Sequence, residues 1–321
     1  MWPFPVFASA ALALMVERFA GYPKPLHDRF GHPVEWIGRL ISALDRALNR
    51  PERPTAENRF RGLMALALVL LAAFVPAWLM SKLLSYIGIG WIVEALIATA
   101  FIAQSSMRDH VRAVHRALGS SLVEARRAVA KIVGRDTATL DESAIARAAL
   151  ESLAENTSDG VVAPAFWYAL LGLPGLVVYK AINTADSMIG HKSERYASFG
   201  WAAARLDDVV NLPCSRLTGV LFAGAAGLFD ATRARTVFTM MRKHAPAHLS
   251  PNAGWPEAAL AAALEIRLGG PRSYAGRTVD LAWMGDGRAA LGRRDIRAGL
   301  KLYGRATALL FALTLICAVI F

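Results

Sequence analysis

Glu151, Glu155 and Asp159 recur four residues apart in Glu151-Ser152-Leu153-Ala154-Glu155-Asn156-Thr157-Ser158-Asp159-Gly160. On a helix of about 3.6 residues per turn they share one face, drifting by about 40° per step. Like charges at this spacing repel by roughly a few tenths of a kcal/mol per pair, and no Lys or Arg stands between them. A bound cation would relieve the repulsion; a solvated acidic helix end is the plain alternative. The acids run straight into an apolar block beginning at Val161, which favours the cation.

A second stretch abuts that block from the other side. It holds Lys180, Asn183, Thr184, Asp186, Ser187, His191, Lys192, Glu194, Arg195 and Tyr196, and continues through Arg205, Asp207, Asp208, Asn211 and Arg216. Carboxylates with Asn and Ser supply the hard oxygen donors Mg²⁺ prefers, phosphate and water completing its shell. The lysines and arginines could hold phosphate oxygens, the arginines bidentately. Asp207, Asp208 and Asn211 fall on one side of a helix. Charge this dense between apolar blocks faces a cavity more often than lipid. The alternative is a polar loop whose acids pair with its bases.

A third stretch, Ser250-Pro251-Asn252-Ala253-Gly254-Trp255-Pro256-Glu257, reads as a turn opening a helix. Ser250 or Asn252 can cap it and Pro256 fits its first turn. The helix should stop at Gly269-Gly270. Its start could also receive an anion. There is no G-x-x-x-x-G-K-[ST], G-x-S-x-G, H-E-x-x-H or G-x-G-x-x-G, so Walker-type nucleotide binding, the hydrolase elbow and zincin chemistry are excluded. His27, His32, His110 and His115 lack partners at metal-ligand spacing and read as ordinary polar residues.

The elements that must position these groups are membrane helices. Residues AVILMFWYC make up 55% of the 321, yet 36 Lys+Arg against 25 Asp+Glu leave a net charge of +11. Mean hydropathy is +0.35. Apolar blocks with basic connections are the membrane pattern; disorder is excluded, and two cysteines exclude a disulfide scaffold. The basic excess lies between apolar blocks, so nucleic acid is not the expected partner. Segments 62–81, 87–104 and 304–321 are long enough to span, the second with one acid, Glu94. Segment 3–16 is an anchor or a buried helix. Segments 161–179, with the breaker Gly172-Leu173-Pro174-Gly175, and 217–229 read as spans, broken helices or re-entrant hairpins.

Lys+Arg number nine in 17–61, eight in 105–160 and twelve in 230–303, against one in 82–86 and five in 180–216. The positive-inside rule makes the first three cytoplasmic. Helices are expected near 34–48 and through 105–160, where Ser121-x-x-Glu124 and Thr139-x-x-Glu142 have capping-box spacing. The fold is thus an all-α polytopic membrane bundle with cytoplasmic helical connections, read as one domain over 1–321. One site cannot lie on two sides of a bilayer, so 151–160, 183–211 and 250–257 should meet at the cytoplasmic side or in a cavity open to it. Either 161–179 and 217–229 both fail to cross, as broken and partly inserted helices, which the Gly-Leu-Pro-Gly breaker favours, or 180–216 folds back between the spans.

Four segments are similar to the CobD/CbiB family of cobalamin-biosynthesis adenosylcobinamide(-phosphate) synthases: HPVEWIGRLI at 32–41, ESLAENTSDGVVAPAFWYALLGLPG from 151, YKAINTADSMIGHKSERYASFGWAAARLDD from 179 and SPNAGWPEAALAAALEIRLGG from 250. The likeness covers nearly the whole chain. It departs at Glu17 and Gly21-Tyr22-Pro23, where the family has Asp and Gly-Asp-Pro, and at Cys214-Ser215 before Arg216.

The resemblance implies a cell inner-membrane ligase. It would join (R)-1-amino-2-propanol or its O-phosphate to a propionate of adenosylcobyric acid, using ATP and Mg²⁺. It implies Glu151, Glu155, Asp159, Asp186, Asp207 and Asp208 for metal and amine handling, with Glu155, Asp186 and Asp208 as metal ligands. Lys180, His191, Lys192, Arg195, Arg205 and Arg216 would hold phosphates. Asn156, Asn183, Asn211 and Asn252 would bind corrin amides or complete the ligand shell, and Trp167, Trp201 and Trp255 would meet the ring face. Membrane lipid is an expected partner, and a complex with other late-pathway membrane enzymes stays open. A magnesium-dependent transferase acting on a diphosphate and a non-catalytic corrinoid-binding protein or transporter are the rival readings.

Overall fold

The computed structural model describes residues 5–274, 277–279 and 281–321. Among the described residues it is mainly helical, with two short antiparallel ladders between Leu268 and Met284. Among the described residues, four helical stretches are long and apolar enough to cross a membrane: Thr55–Leu84, Gly90–Ala117, Glu142–Ile189 and Arg293–Ile320. A fifth candidate is the pair Trp201–Val210 and Leu212–Ala226, broken between its halves. Val6–Ala20 has 15 residues and one buried face, formed by Ser9, Ala10, Ala11, Ala13, Leu14 and Glu17.

The chain divides into two compact units, each assembled from separated stretches. The first comprises 1–103, 163–211 and 313–321. Its centre is Ala163–Ile189, flanked by Thr55–Leu84, Val6–Ala20, Pro33–Leu48 and Trp201–Val210. Small residues permit the close approach: Ala65, Ala73, Ala77, Ala181 and Ala185 are all buried. At Gly62 a Cβ would stand 1.9 Å from the Phe199 carbonyl oxygen, so that glycine seats the 191–200 loop on the Thr55–Leu84 helix.

The expected break is real. Gly172 has φ 63° and ψ −163° inside Ala163–Ile189, a conformation glycine alone adopts cheaply. The Leu173 N–H, freed by the break, donates to Glu94 Oε1 at 3.4 Å, and Ser81 Oγ donates to Glu94 Oε2 at 2.8 Å. Glu94 is 1% exposed. The single acid of segment 87–104 is therefore the polar partner of a broken helix, since an unsatisfied backbone group away from water would cost several kcal/mol.

The second unit comprises 104–162 and 212–312. Gly254–Leu264 is apolar apart from the buried Glu257 and is buried on nearly every side, packed by Leu212–Ala226, Ala231–His244 and Glu142–Thr157. Several local expectations need correction here. Ser121 does cap Leu122–Val129, accepting from the Glu124 N–H, but Glu142–Thr157 is capped by Asp141 rather than Thr139, its side chain accepting from the Ala144 N–H at 2.7 Å. The Gly254 helix ends at Leu264 through Glu265 in the left-handed region (φ 56°, ψ 43°), short of Gly269-Gly270. Neither Ser250 nor Asn252 is its N-cap. Ser250 Oγ instead accepts from the Asn252 and Ala253 N–H groups in the preceding turn.

Candidate functional site

In the first unit, the last two turns of Ala163–Ile189 face Trp201–Val210, and polar side chains occupy the seam. Tyr179 donates its hydroxyl to Asn211 Oδ1 at 3.0 Å, and Asn211 Nδ2 donates to Asp207 Oδ2 at 2.9 Å. Asn183 Nδ2 reaches Asp207 Oδ1 at 3.4 Å, while Lys180 Nζ donates to Asn183 Oδ1 at 3.3 Å. Asp207 and Asn211 are buried; Asp186 and Asp208 are half-buried. The charges of Asp186, Asp207 and Asp208 act on one another, and His191 lies within electrostatic reach of Asp186. The helical spacing of Asp207, Asp208 and Asn211 thus did bring acid and amide together.

Gly190 shapes the exit from this helix. A Cβ there would lie 1.9 Å from Asp186 Oδ1 and 2.7 Å from the Asp186 carbonyl oxygen, so the chain leaves across the carboxylate itself. His191 and Lys192 follow on the exposed loop. Arg205 stands 3.7 Å from Asp208 at i,i+3 with 69% of its side chain exposed, a loose and hydrated contact.

Arg195 has a different task. Its Nη2 donates to Asp45 Oδ2 at 2.7 Å, and the Tyr196 hydroxyl shares that oxygen at 3.2 Å. Asn49 Nδ2 holds Asp45 Oδ1 at 2.8 Å and Asn58 Nδ2 holds Asn49 Oδ1 at 3.1 Å. The Asp45 hydrogen bond and charge raise the Arg195 guanidinium above its ordinary value. Arg195 therefore anchors the 191–200 loop to Pro33–Leu48.

Asp45 on that helix and Asn49 at its C-cap carry no local sequence signal, and His32 at its start has more than the ordinary polar role expected of it. The N-cap is His32, whose Nδ1 accepts from the Val34 N–H at 3.3 Å while Glu35 reaches back to the His32 N–H. The Tyr22 ring meets His32 edge-on at 4.6 Å. Burial holds the imidazole below the usual histidine value; Glu35 opposes this, and the charges of His27 and Lys180 add to it. Lys180 thus lies within electrostatic reach of the early His-Pro motif. A capping box led by His is not in the usual Ser/Thr set, although the Glu three residues on was a readable signal. Asp45, 150 residues from Arg195, gave none.

Among the described residues, no group of three or more His, Cys, Asp or Glu side chains is arranged to hold a metal ion. Magnesium needs only one or two carboxylates when phosphate oxygens and water finish its shell.

The second unit holds the remaining expected residues. Glu151 is buried: Oε2 accepts from Arg135 Nη2 at 3.1 Å and Oε1 from the Gly269 N–H at 2.8 Å. The expectation of an unrelieved carboxylate face fails at this residue, because Arg135 comes from the preceding loop. Glu155 and Asn156 are exposed on the same helix, with Asn156 Nδ2 bonded to the Ser152 carbonyl at 2.9 Å. Asp159 is half-buried in a π-helical turn, Ser158–Val162, a form frequent at functional sites. Arg216 Nη1 donates to Asn252 Oδ1 at 2.9 Å and to Ser215 Oγ at 3.0 Å, and its guanidinium lies 4.6 Å from the Trp255 ring centroid. Arg216, Asn252 and Trp255 therefore form one cluster. The other two candidate tryptophans belong to the first unit: Trp167 Nε1 donates to the Val210 carbonyl at 3.2 Å, and the Arg59 guanidinium lies over the Trp201 ring.

A profile of the family described as CobD/Cbib protein matches residues 10–303. A cobalamin biosynthesis protein CobD of Sinorhizobium sp is 48% identical over 305 residues, covering 92% of this chain and 94% of its own length. Proteins of the same name from Rhodobacter capsulatus and Brucella suis are 47% and 46% identical over 310 residues, covering 94% and 95% of this chain and 94% of each relative. No solved structure matches. On the family match and these full-length identities, the chain belongs to the CobD/Cbib family.

Proposed function

We propose that this chain acts in cobalamin biosynthesis as a membrane ligase, joining the amino group of (R)-1-amino-2-propanol, or its O-phosphate, to a propionate of adenosylcobyric acid with ATP hydrolysis. The observation that carries the reading is the crowding of Asp186, Asp207 and Asp208 with Asn183, Lys180 and Asn211 in one seam of the first unit. The family membership supports it independently. The site is assigned to the cytoplasmic face of the inner membrane, where the strongly basic connections should lie.

A carboxylate is a poor electrophile, so the propionate oxygen attacks the γ-phosphorus of ATP and ADP leaves. The amine nitrogen then attacks the acyl carbon, phosphate leaves with the C–O bond, and the amine proton passes to a carboxylate of the cluster. Magnesium, held by Asp186 and Asp208, would neutralise charge on the transferring phosphoryl group. Lys180, Lys192 and Arg205 steer phosphate oxygens, and Asn183 and Asn211 fix the Asp207 carboxylate. Glu151 and Arg195 act as positioning residues through Gly269 and Asp45. In the second unit, Glu155, Asn156, Asp159, Arg216 and Asn252 are assigned to substrate handling, Trp255 offering a ring face.

Purified full-length chain in detergent, given adenosylcobyric acid, either amine, ATP and Mg²⁺, should yield the amide with one ADP per product. Pyrophosphate release without ATP would instead select the diphosphate transferase. Corrinoid binding with neither product nor ATP turnover would select a binding protein or transporter.

A further inference from the structure

The second unit contains a basin of about 690 Å³ that no part of the proposed reaction uses. Four guanidinium groups line it: Arg288, Arg293, Arg294 and Arg297. His115 forms another wall and lies within electrostatic reach of Arg293, Arg297 and Arg116. Two acids complete the lining, and the one that is ion-paired, Asp295, offsets Arg288 alone. Asp295 is bound by Arg288 through both guanidinium nitrogens and also accepts from the Gly292 N–H at 2.9 Å. Glu142 makes no ion pair among the described residues.

The remaining arginines divide by role. Arg293 is fixed, its Nε donating to the His115 carbonyl at 3.1 Å and its guanidinium lying against Gly119, where a Cβ would come within 2.8 Å. Arg294 and Arg297 have no hydrogen-bond or carboxylate partner among the described residues. They are exposed to the basin. Cations converging on one concavity repel each other and concentrate anions. A solvated structural surface would interleave acids, as the Lys243–Asp286 pair at 2.7 Å does elsewhere in this unit.

Arg297 stands seven residues before Gly304, where the apolar run of the last candidate span begins. At about 1.5 Å per residue that is roughly 10 Å, which an extended guanidinium brings to headgroup depth. Planar guanidinium forks match phosphate oxygens bidentately. We propose that this basin is a phosphate-binding site, with Arg294 and Arg297 as the binding groups and Arg293 as their fixed neighbour. The phosphate belongs either to an anionic lipid headgroup or to a soluble phosphate compound.

The test uses the full chain and the double variant Arg294→Gln with Arg297→Gln. Calorimetry with inorganic pyrophosphate in detergent reads the soluble source. Counting of phosphatidylglycerol retained in native mass spectra, after purification from phosphatidylcholine–phosphatidylglycerol nanodiscs, reads the lipid source. The proposal expects the variant to bind pyrophosphate at least about tenfold more weakly, or to lose retained phosphatidylglycerol, while Arg294→Lys with Arg297→Lys keeps most of either signal. Asp186→Asn should leave both signals unchanged, which separates this site from the acid cluster. Equal pyrophosphate affinity and equal lipid retention in wild type and the Gln variant would overturn it. So would loss of both signals on Asp186→Asn alone.

Discussion

Replacing Glu151 by Gln separates a structural carboxylate from a catalytic one. The Arg135 and Glu151 side chains are 10% and 7% exposed, so the pair is desolvated and solvent screening is small. Removing one partner from such a pair typically costs about 3–5 kcal/mol, because the other charge stays buried. Gln keeps an acceptor for the Gly269 N–H, which places the expected loss near the low end, about 3 kcal/mol. At about 2–4 °C per kcal/mol for a unit of this size, the melting temperature should fall by roughly 6–12 °C. The double variant Arg135→Met with Glu151→Leu removes both charges. It should lose only about 1–2 kcal/mol, mainly from the orphaned Gly269 amide. Thermal melts of wild type, Arg135→Met, Glu151→Leu and the double variant in one detergent form a double-mutant cycle. Activity per folded molecule should change only a few-fold in the double variant. A Glu151→Gln protein that melts with wild type yet has lost its activity would refute the structural assignment.

Gly190→Ala should force the Asp186 carboxylate aside, because the new Cβ would sit 1.9 Å from its Oδ1; a large fall in kcat with a melting temperature near wild type is expected. Asp45→Asn should release Arg195 and the 191–200 loop, read as faster amide hydrogen exchange at 191–199. Because burial lowers the folded-state pKa of His32, its capping contribution should be complete above about pH 6.5 and fade as pH falls below that value. Protection factors at Val34–Trp36, corrected for the intrinsic pH dependence of exchange, should therefore fall as pH drops from neutral to mildly acidic, and His32→Asn, which keeps an acceptor, should abolish that dependence.

The membrane helices were readable because a run of some twenty apolar residues has one physical destination. Gly172-Leu173-Pro174-Gly175 likewise announced its break, since Gly supplies the rare φ and Pro lacks the donor. The grouping of Asp207, Asp208 and Asn211 followed from helical period alone. What could not be read was long-range pairing. Arg135 answers Glu151 from a loop, Asp45 answers Arg195 across 150 residues, and Glu94 answers a backbone break 79 residues away. Local spacing shows which side chains share a face, not which distant charge will meet it. Short-range choices failed for a related reason: Asp141 and Thr139 can both cap, and two residues decide the frame. The left-handed Glu265 was hidden because a Gly pair stood four residues later.

The ligase account stands most directly on the rate of ATP-dependent amide formation by Asp186→Asn, measured on protein that retains its wild-type melting temperature. A fall of at least about a hundredfold in kcat is predicted, as expected when charge stabilisation of phosphoryl transfer is lost, with Arg205→Ala affected far less. Wild-type turnover by Asp186→Asn would contradict the account.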